Sequence, residues 1–182
     1  MESSLNNIYL FKALDAYPFD LEETVESLNY ALTYDEKDAR ALRLMGRLYA
    51  EQLGDLETAE SYYAEALANA MEWPMIYPEY IRLLTNKGDL DKAENLFEFA
   101  LKQSFTVKAM LHLVGGQLYE RQQRFNKAIK AFKKAKKIAG NDDFFNFVAA
   151  EIKRVARKMP KKKKRKKAKR KKSKAKKGKS KK

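Results

Sequence analysis

Three arginines, Arg40, Arg43 and Arg47, recur at a spacing of three and then four residues, which places them on one face of a helix. This arginine row lies in an acidic half of the chain, since residues 1–100 carry 20 Asp or Glu against 8 Lys or Arg. A guanidinium group offers a planar fork of N–H donors that matches a carboxylate. The row therefore predicts a site for an acidic peptide or a C-terminal carboxylate, unless nearby Glu and Asp simply balance a solvated helix face.

A second cationic row lies in the other half of the chain, where residues 101–160 carry 14 bases against 4 acids. This lysine row consists of Lys127, Lys130, Lys134 and Lys137. It leads towards residues 161–182, which carry 17 bases and no acid. Lys-rich segments bind nucleic-acid phosphates without reading base sequence. The residues expected to contact a polyanion are Lys127, Lys130, Lys134, Lys137, Lys161, Lys162, Lys163, Lys164, Arg165, Lys166, Lys167, Lys169, Arg170, Lys171 and Lys172.

The terminal segment allows other interpretations. The string PKKKKRKK resembles a nuclear import signal, which would matter only in a eukaryote. Lysines near anionic lipid gain ~1 kcal/mol each, although no apolar anchor accompanies these. The segment could also dock on the acidic half of its own molecule or of a second copy, or it could act only as a solubilising extension. Its composition predicts disorder over residues 159–182.

Catalytic chemistry finds little support in the residue types. The chain has no cysteine and a single histidine, His112, which is expected to pack within the fold. No Gly-rich phosphate loop and no recurring carboxylate pair suggests an active site. We therefore predict a non-enzymatic protein without cofactor or metal. The N-terminal sequence is not typical of a secretory signal, no apolar stretch is long enough to span a membrane, and a cytoplasmic location is expected, or a nuclear one in a eukaryote.

The elements that must position these rows repeat along the chain. Four related strings, DLEET, DLETA, DLDKA and RFNKA, begin at Asp20, Asp55, Asp89 and Arg124, at offsets of 35, 34 and 35 residues. Each opens an apolar stripe with the spacing of one helix face. The four stripes are Thr24/Leu28/Ala31, Ala59/Tyr63/Ala66, Ala93/Phe97/Ala100 and Ala128/Phe132/Ala135.

A further helix is expected before each of the last three stripes. Their apolar positions are Leu42/Met45/Gly46/Tyr49, Tyr77/Tyr80/Ile81/Leu84 and His112/Gly115/Gly116/Tyr119. In the turns LGDL and KGDL, glycine suits a helix end with positive φ and aspartate suits an N-cap. Helical hairpins of this size must stack to complete a core, with small residues opposite large aromatic rings.

This period and pattern resemble the tetratricopeptide repeat. The resemblance implies an all-α fold, a right-handed superhelix of about four helix-turn-helix units near residues 5–38, 39–73, 74–108 and 109–142. A capping helix is expected over about 143–158, begun by Asp142 or Asp143 with an apolar stripe Phe145/Val148/Ile152/Val155. The whole domain would span residues 1–158.

Three departures from the family pattern concern the helices. Pro18 predicts a shortened first helix, and the second unit has one extra residue between Tyr49 and Gly54. Pro74 and Pro78 predict that the first helix of the third unit runs only from about Pro78 to Lys87.

In the family, the first helix of each unit lines a concave groove that binds peptides. The positions that the resemblance assigns to the groove are Asn6, Tyr9, Arg40, Arg43, Arg47, Glu51, Glu79, Arg82, Asn86, Gln117 and Arg121. These residues favour an adaptor whose groove holds a protein or peptide and whose terminus tethers it to nucleic acid or ribosomes. Two other hypotheses are an interaction module whose terminus only localises it, and a nucleic-acid binder whose repeats themselves hold phosphate. Self-association is compatible with all of these hypotheses.

Overall fold

The computed structural model describes residues 7–159, and its regular elements are all helical. The prediction of an all-α fold is confirmed. The helix bounds are α1 (Ile8–Ala16), α2 (Leu21–Tyr34), α3 (Ala39–Leu48), α4 (Leu56–Asn69), α5 (Ile76–Lys87), α6 (Leu90–Lys102), α7 (Lys108–Arg121), α8 (Phe125–Lys137) and α9 (Asp142–Lys158). Asn6 and the predicted polyanion contacts from Lys161 onwards lie outside the described residues.

The extra residue of the second unit is absorbed by a π-helical turn over Tyr49–Leu53, which continues directly from α3. Gly54 ends this turn in the left-handed region, at φ 72°, and its N–H donates to the Tyr49 carbonyl. A π turn accommodates one inserted residue without displacing the helices on either side. The insertion therefore changes the direction of the side chains around Glu51 and leaves the register of the apolar seam intact.

Two predicted starts of helices need correction. Helix α5 begins at Ile76 and not at Pro78, because Pro78 is the third residue of the helix and the first turn does not require its N–H. Helix α9 is capped by Asn141, whose side chain accepts from the N–H of Phe144. Asp142 and Asp143 lie instead in the first turn, where their charge favours the positive end of the helix dipole.

The aspartates of the repeated strings do not all act as caps. Asp20 and Asp55 accept from the backbone N–H three residues on, both at 3.0 Å. Asp89 makes no such bond, and its carboxylate lies 3.6 Å from the ammonium groups of Lys87 and Lys92. The predicted aspartate N-caps are confirmed in position at both Asp55 and Asp89, but only Asp55 makes the cap hydrogen bond, because two cations attract the side chain of Asp89.

The core is a series of seams between stacked hairpins. All twelve residues of the four second-helix stripes are buried, as the repeat predicts. The close approach that these seams require is clearest on α7. A Cβ added at Gly115 would lie 2.4 Å from the Phe97 ring of α6, and one at Gly116 would lie 2.4 Å from the Phe132 ring of α8. Two successive glycines therefore let an aromatic ring from each neighbouring helix rest on the α7 backbone.

The last seam is closed by α9. Val148 and Val155 are fully buried, and Phe144 and Ile152 pack against the same cluster. The prediction of Phe145 in this stripe is wrong, because its side chain is 41% exposed and lies beneath the ammonium group of Lys136, 4.1 Å from the ring centroid. The seam therefore uses Phe144, four residues before Val148, which keeps it on the buried face of the helix.

The helices form two layers. Among the first helices, α5 packs on α7 and α1 contacts α3, and each second helix packs on the first helix of the next unit. No comparable contact joins second helices of neighbouring units within residues 7–159. The first helices α1, α3, α5 and α7 therefore form the inner layer, and α2, α4, α6 and α8 form the outer layer.

Candidate functional site

The centre of the inner layer holds a buried ion pair between neighbouring units. One terminal nitrogen of Arg43 donates to both carboxylate oxygens of Glu79, at 2.7 and 2.9 Å. The two side chains are only 14% and 10% exposed. The guanidinium of Arg43 also lies 5.0 Å from the ring centroid of Trp73. The charge of Arg43 is therefore paired within the protein and links α3 to α5, although its buried Nε has no hydrogen-bond partner within residues 7–159.

The next arginine of the row joins a second network. Arg47 pairs with Glu51 at 3.2 Å, the Tyr17 hydroxyl donates to the same carboxylate at 2.8 Å, and Arg82 approaches its other oxygen at 3.7 Å. Burial alone would raise the pKa of Glu51, but the Tyr17 hydroxyl and the Arg47 guanidinium lower it below its usual range. The π turn positions this carboxylate, and the network links the first three units.

An open pocket of about 560 Å³ follows at the carboxyl ends of α5 and α7. It brings together four of the residues assigned to the groove by the resemblance, Arg82, Asn86, Gln117 and Arg121. The other lining residues are Thr85, Glu120, Gln123, Phe125 and Lys158. Amide and guanidinium groups thus surround one cavity, which suits the carbonyl and carboxylate groups of a peptide.

The charges of this pocket leave one cation without a partner. Glu120 is held by a two-pronged contact from Arg154 and by Lys158 at 2.7 Å. Burial alone would raise the pKa of Glu120, but the bonds from Arg154 and Lys158 lower it. Arg121 is exposed and has no acidic partner in the part of the chain that the structure describes. The pocket therefore carries an uncompensated positive charge at Arg121.

Two of the assigned groove residues face other surroundings. Tyr9 packs against Tyr30 of α2, with 5.2 Å between ring centroids. Arg40 pairs with Asp38 at 3.2 Å and lines a separate pocket of about 390 Å³ that contains Trp73. The assigned residues therefore divide into a compensated centre, an open pocket at the carboxyl end, and these two separate positions.

The lysine row is placed on the outer layer, along α8. Lys127, Lys130 and Lys134 line one cleft between α6 and α8, whereas Lys137 is exposed and does not line it. His112 lies half-buried at the same cleft. Its pKa is lowered by burial and by the charges of Lys134 and Lys108.

Several residues around the groove were missed by the sequence patterns. Glu120 and Lys158 line the pocket and are 38 residues apart, and Tyr17 closes the Glu51 network from the turn after α1. Glu120 follows Gln117 by three residues, so the helical spacing offered a signal for it. Lys158 belongs to the capping helix and offered no such signal, because the direction in which α9 returns over α7 depends on tertiary packing.

No group of three or more His, Asp or Glu side chains that could hold a metal ion occurs within residues 7–159. None of the helices described there is long and apolar enough to cross a membrane.

Comparison with known families supports the repeat architecture. One family model described as tetratricopeptide repeat matches residues 41–74, and a second with the same description matches residues 81–143. The two matched segments include most of α3, part of α5 and all of α4, α6, α7 and α8, which contribute the residues of the inner groove and the outer cleft. No curated protein matches the chain. The tetratricopeptide repeat is a protein-interaction module, and this chain belongs to the tetratricopeptide-repeat family.

Proposed function

We propose that this chain is an adaptor that binds an acidic peptide segment of a partner protein in its inner groove. The proposal is supported chiefly by the pocket at the carboxyl ends of α5 and α7, where Arg121 has no acidic partner among residues 7–159. Asn86 and Gln117 lie in the same pocket, and their amides can pair with peptide backbone groups. A ligand carboxylate would supply the charge that Arg121 lacks.

The arginine row is a poorer candidate for ligand contact than its sequence spacing suggests. Arg43 is committed to Glu79, and Arg47 to Glu51. A peptide carboxylate would have to displace a carboxylate that is already held in place, and the displaced group would lose its partner. We therefore assign recognition to the end of the groove near Arg121, with Arg82 at its inner edge.

The test uses peptides with an acidic C-terminal segment, measured by calorimetry against the full chain. Arg121→Glu should weaken binding by at least about tenfold, because a charge-assisted hydrogen bond contributes about 1.5–3 kcal/mol. Arg157→Glu is the matched control, since Arg157 is exposed on α9 and does not line the pocket. Amidation of the peptide C-terminus should weaken binding if the terminal carboxylate is the group recognised.

Equal losses from Arg121→Glu and Arg157→Glu would contradict the proposal, because they would indicate an unspecific effect of net charge. Charge reversal at Arg43 or Arg47 is a weaker test, since it removes an ion pair that belongs to the fold.

We also propose that residues 161–182 tether the bound partner to nucleic acid or to ribosomes. The support is the charge of this segment, 17 bases without an acid. Deleting residues 160–182 should abolish retention on immobilised double-stranded RNA at low salt, whereas peptide binding in the groove should persist. Retention on the duplex that survives the deletion would contradict the tether.

A further inference from the structure

A cleft of about 190 Å³ opens on the outer layer, where α6 and α8 lie on either side of α7. Its wall on α8 carries three members of the lysine row, Lys127, Lys130 and Lys134. The remaining lining residues are Phe97, Leu101, His112, Tyr119 and Ala131. The cleft lies outside the inner groove and shares none of the residues that line the pocket at Arg121.

The three lysines of the cleft are exposed, and none forms an ion pair within residues 7–159. Burial and the charges of two acids of α6, Glu94 and Glu98, raise the pKa of Tyr119. Glu94 accepts from Arg124 and Gln122, whereas Glu98 is exposed and forms no ion pair within residues 7–159. The ammonium group of Lys127 lies 5.2 Å from the ring centroid of Tyr119. The rim of the cleft therefore carries three unpaired lysines against one unpaired acid, which leaves a net positive field above an aromatic ring.

The floor of the cleft is apolar and aromatic. Phe97 is buried and meets Tyr119 edge to face, with 5.9 Å between ring centroids. Leu101 and Ala131 complete the floor. Its ligand should therefore combine a ring or other apolar group with anionic groups on either side.

The spacing of the lysines sets the scale of that ligand. Lys127 and Lys134 are seven residues apart on one helix, which corresponds to about 10.5 Å along its axis at ~1.5 Å per residue. A stacked nucleic-acid strand advances by ~3.4 Å per nucleotide, so this distance matches about three nucleotides.

We propose that this cleft binds a short single-stranded stretch of nucleic acid, with a base on the floor at Tyr119 and flanking phosphates on Lys127, Lys130 and Lys134. Each nucleotide carries a ring beside a phosphate, and base–aromatic stacking does not require a particular base. A base within a duplex stays in its stack and cannot enter. An acidic peptide fits less well, because Glu and Asp bring no ring and carboxylates favour the fork of arginine over lysine.

The cleft is independent of the peptide groove, and it offers an aromatic surface that the proposed tether, residues 161–182, lacks. Residues 161–182 contain no aromatic side chain, so they can hold phosphates but cannot stack on bases. In the full chain the cleft would distinguish single-stranded from double-stranded nucleic acid, whereas the segment would attract both.

His112 provides the means of testing the cleft in the full chain. It is the only histidine, so its imidazole NMR signals can be followed while the terminal segment is present. A single-stranded tetranucleotide bound in the cleft should shift these signals and raise the pKa of His112, because phosphates would offset the nearby lysine charges. Contact with residues 161–182 alone should leave the pKa of His112 unchanged.

Two variants of equal charge separate the cleft from the rest of the basic surface. Lys127→Ala/Lys130→Ala/Lys134→Ala should abolish the response of His112 to the tetranucleotide. Lys133→Ala/Lys137→Ala/Lys153→Ala removes three exposed lysines that do not line the cleft and should preserve the response. Tyr119→Leu should weaken binding at the cleft by at least about fivefold, since stacking on one base contributes about 1–3 kcal/mol. Circular dichroism of each variant should establish that it is folded.

Three further ligands decide which chemistry the cleft recognises. The duplex of the same sequence, an abasic tetramer and a Glu-rich peptide should each leave His112 nearly unchanged at concentrations that saturate it with the single strand. An equal response to the abasic tetramer or the peptide would overturn the assignment of a base to the floor. The absence of any response to the single strand would overturn the site altogether, whatever the outcome for the peptide groove.

Discussion

The arginine row and the lysine row have similar spacing in the sequence but opposite surroundings in the fold. Arg43 and Arg47 of the inner layer each meet a carboxylate from the same or the next unit. Lys127, Lys130 and Lys134 of the outer layer meet none among residues 7–159. A cationic helix face is therefore not evidence of a binding site until the residues opposite it are known.

The two layers differ because of how their helices pack. In the inner layer, Arg43 of α3 reaches the carboxylate of Glu79 on α5. In the outer layer, neighbouring second helices make no comparable contact within residues 7–159, and the cleft between α6 and α8 is open. Charges on the inner layer can consequently be used for folding, whereas those on the outer layer stay available for a ligand.

The largest effect is expected from breaking the pair between Arg43 and Glu79. Glu79→Ala should lower the free energy of unfolding by about 3 kcal/mol, because it leaves a mostly buried guanidinium without its partner. Urea unfolding followed by circular dichroism would measure the loss. Replacing both residues, as in Arg43→Met/Glu79→Leu, should cost much less than Glu79→Ala alone. If the single and double variants were equally destabilised, the pair would not be the source of the effect.

A smaller effect is expected from titrating Glu51 in the same layer. Because its folded-state pKa is lowered, the carboxylate stabilises the fold above its unfolded pKa of ~4.3. That contribution is lost as the pH falls through the lower folded value. Glu51→Gln should reduce the acid-induced loss of stability by no more than about 1 kcal/mol, since Glu51 is exposed and solvent screens its charge. Urea unfolding from pH 6 to pH 3 would measure the change.

The exposed residue Glu26 offers a comparison for this titration, since its carboxylate forms no ion pair within residues 7–159. Glu26→Gln should leave the pH profile of the wild-type chain almost unchanged. A profile altered equally by both variants would mean that general charge, and not the Tyr17–Arg47 network, determines the acid sensitivity.

The smallest effect on stability is expected from the lysine row. Lys127→Ala/Lys130→Ala/Lys134→Ala should change the free energy of unfolding by no more than about 0.5 kcal/mol per substitution, because each side chain is exposed and unpaired. Urea unfolding would test this, with the Lys133/Lys137/Lys153 variant measured in parallel. A large loss confined to the cleft variant would mean that these lysines hold the fold together and would remove the contrast between the two rows.

The sequence predicted the seams well because their pattern is local. The burial of Leu28, Tyr63 and Phe132 follows from helical spacing and a repeat of about 35 residues. The turn glycines were equally predictable, since Gly54 and Gly88 adopt the positive φ that the end of a helix requires. Predicting the fold class from the sequence therefore required few assumptions about tertiary contacts.

The site was less predictable because its charges are compensated across units. Glu79 lies 36 residues after Arg43, which is about one residue more than the repeat length. A search for acidic residues one repeat after each arginine would therefore have suggested the pair. The return of α9 towards Glu120 had no comparable signal. The sequence could not indicate which of the adjacent phenylalanines, Phe144 or Phe145, lies on the buried face of α9. Only the packing of α9 against α8 decides this.

The two glycines of α7 have a mechanical consequence for the outer cleft. Both of its walls rest on adjacent backbone positions, through Phe97 at Gly115 and Phe132 at Gly116. Widening the cleft would require one of these rings to lose its contact with the α7 backbone. We therefore expect the width of the cleft to stay constant while the rest of the helical array bends. Under tension, the last two hairpins should move as one rigid segment, and extension should begin nearer the amino end.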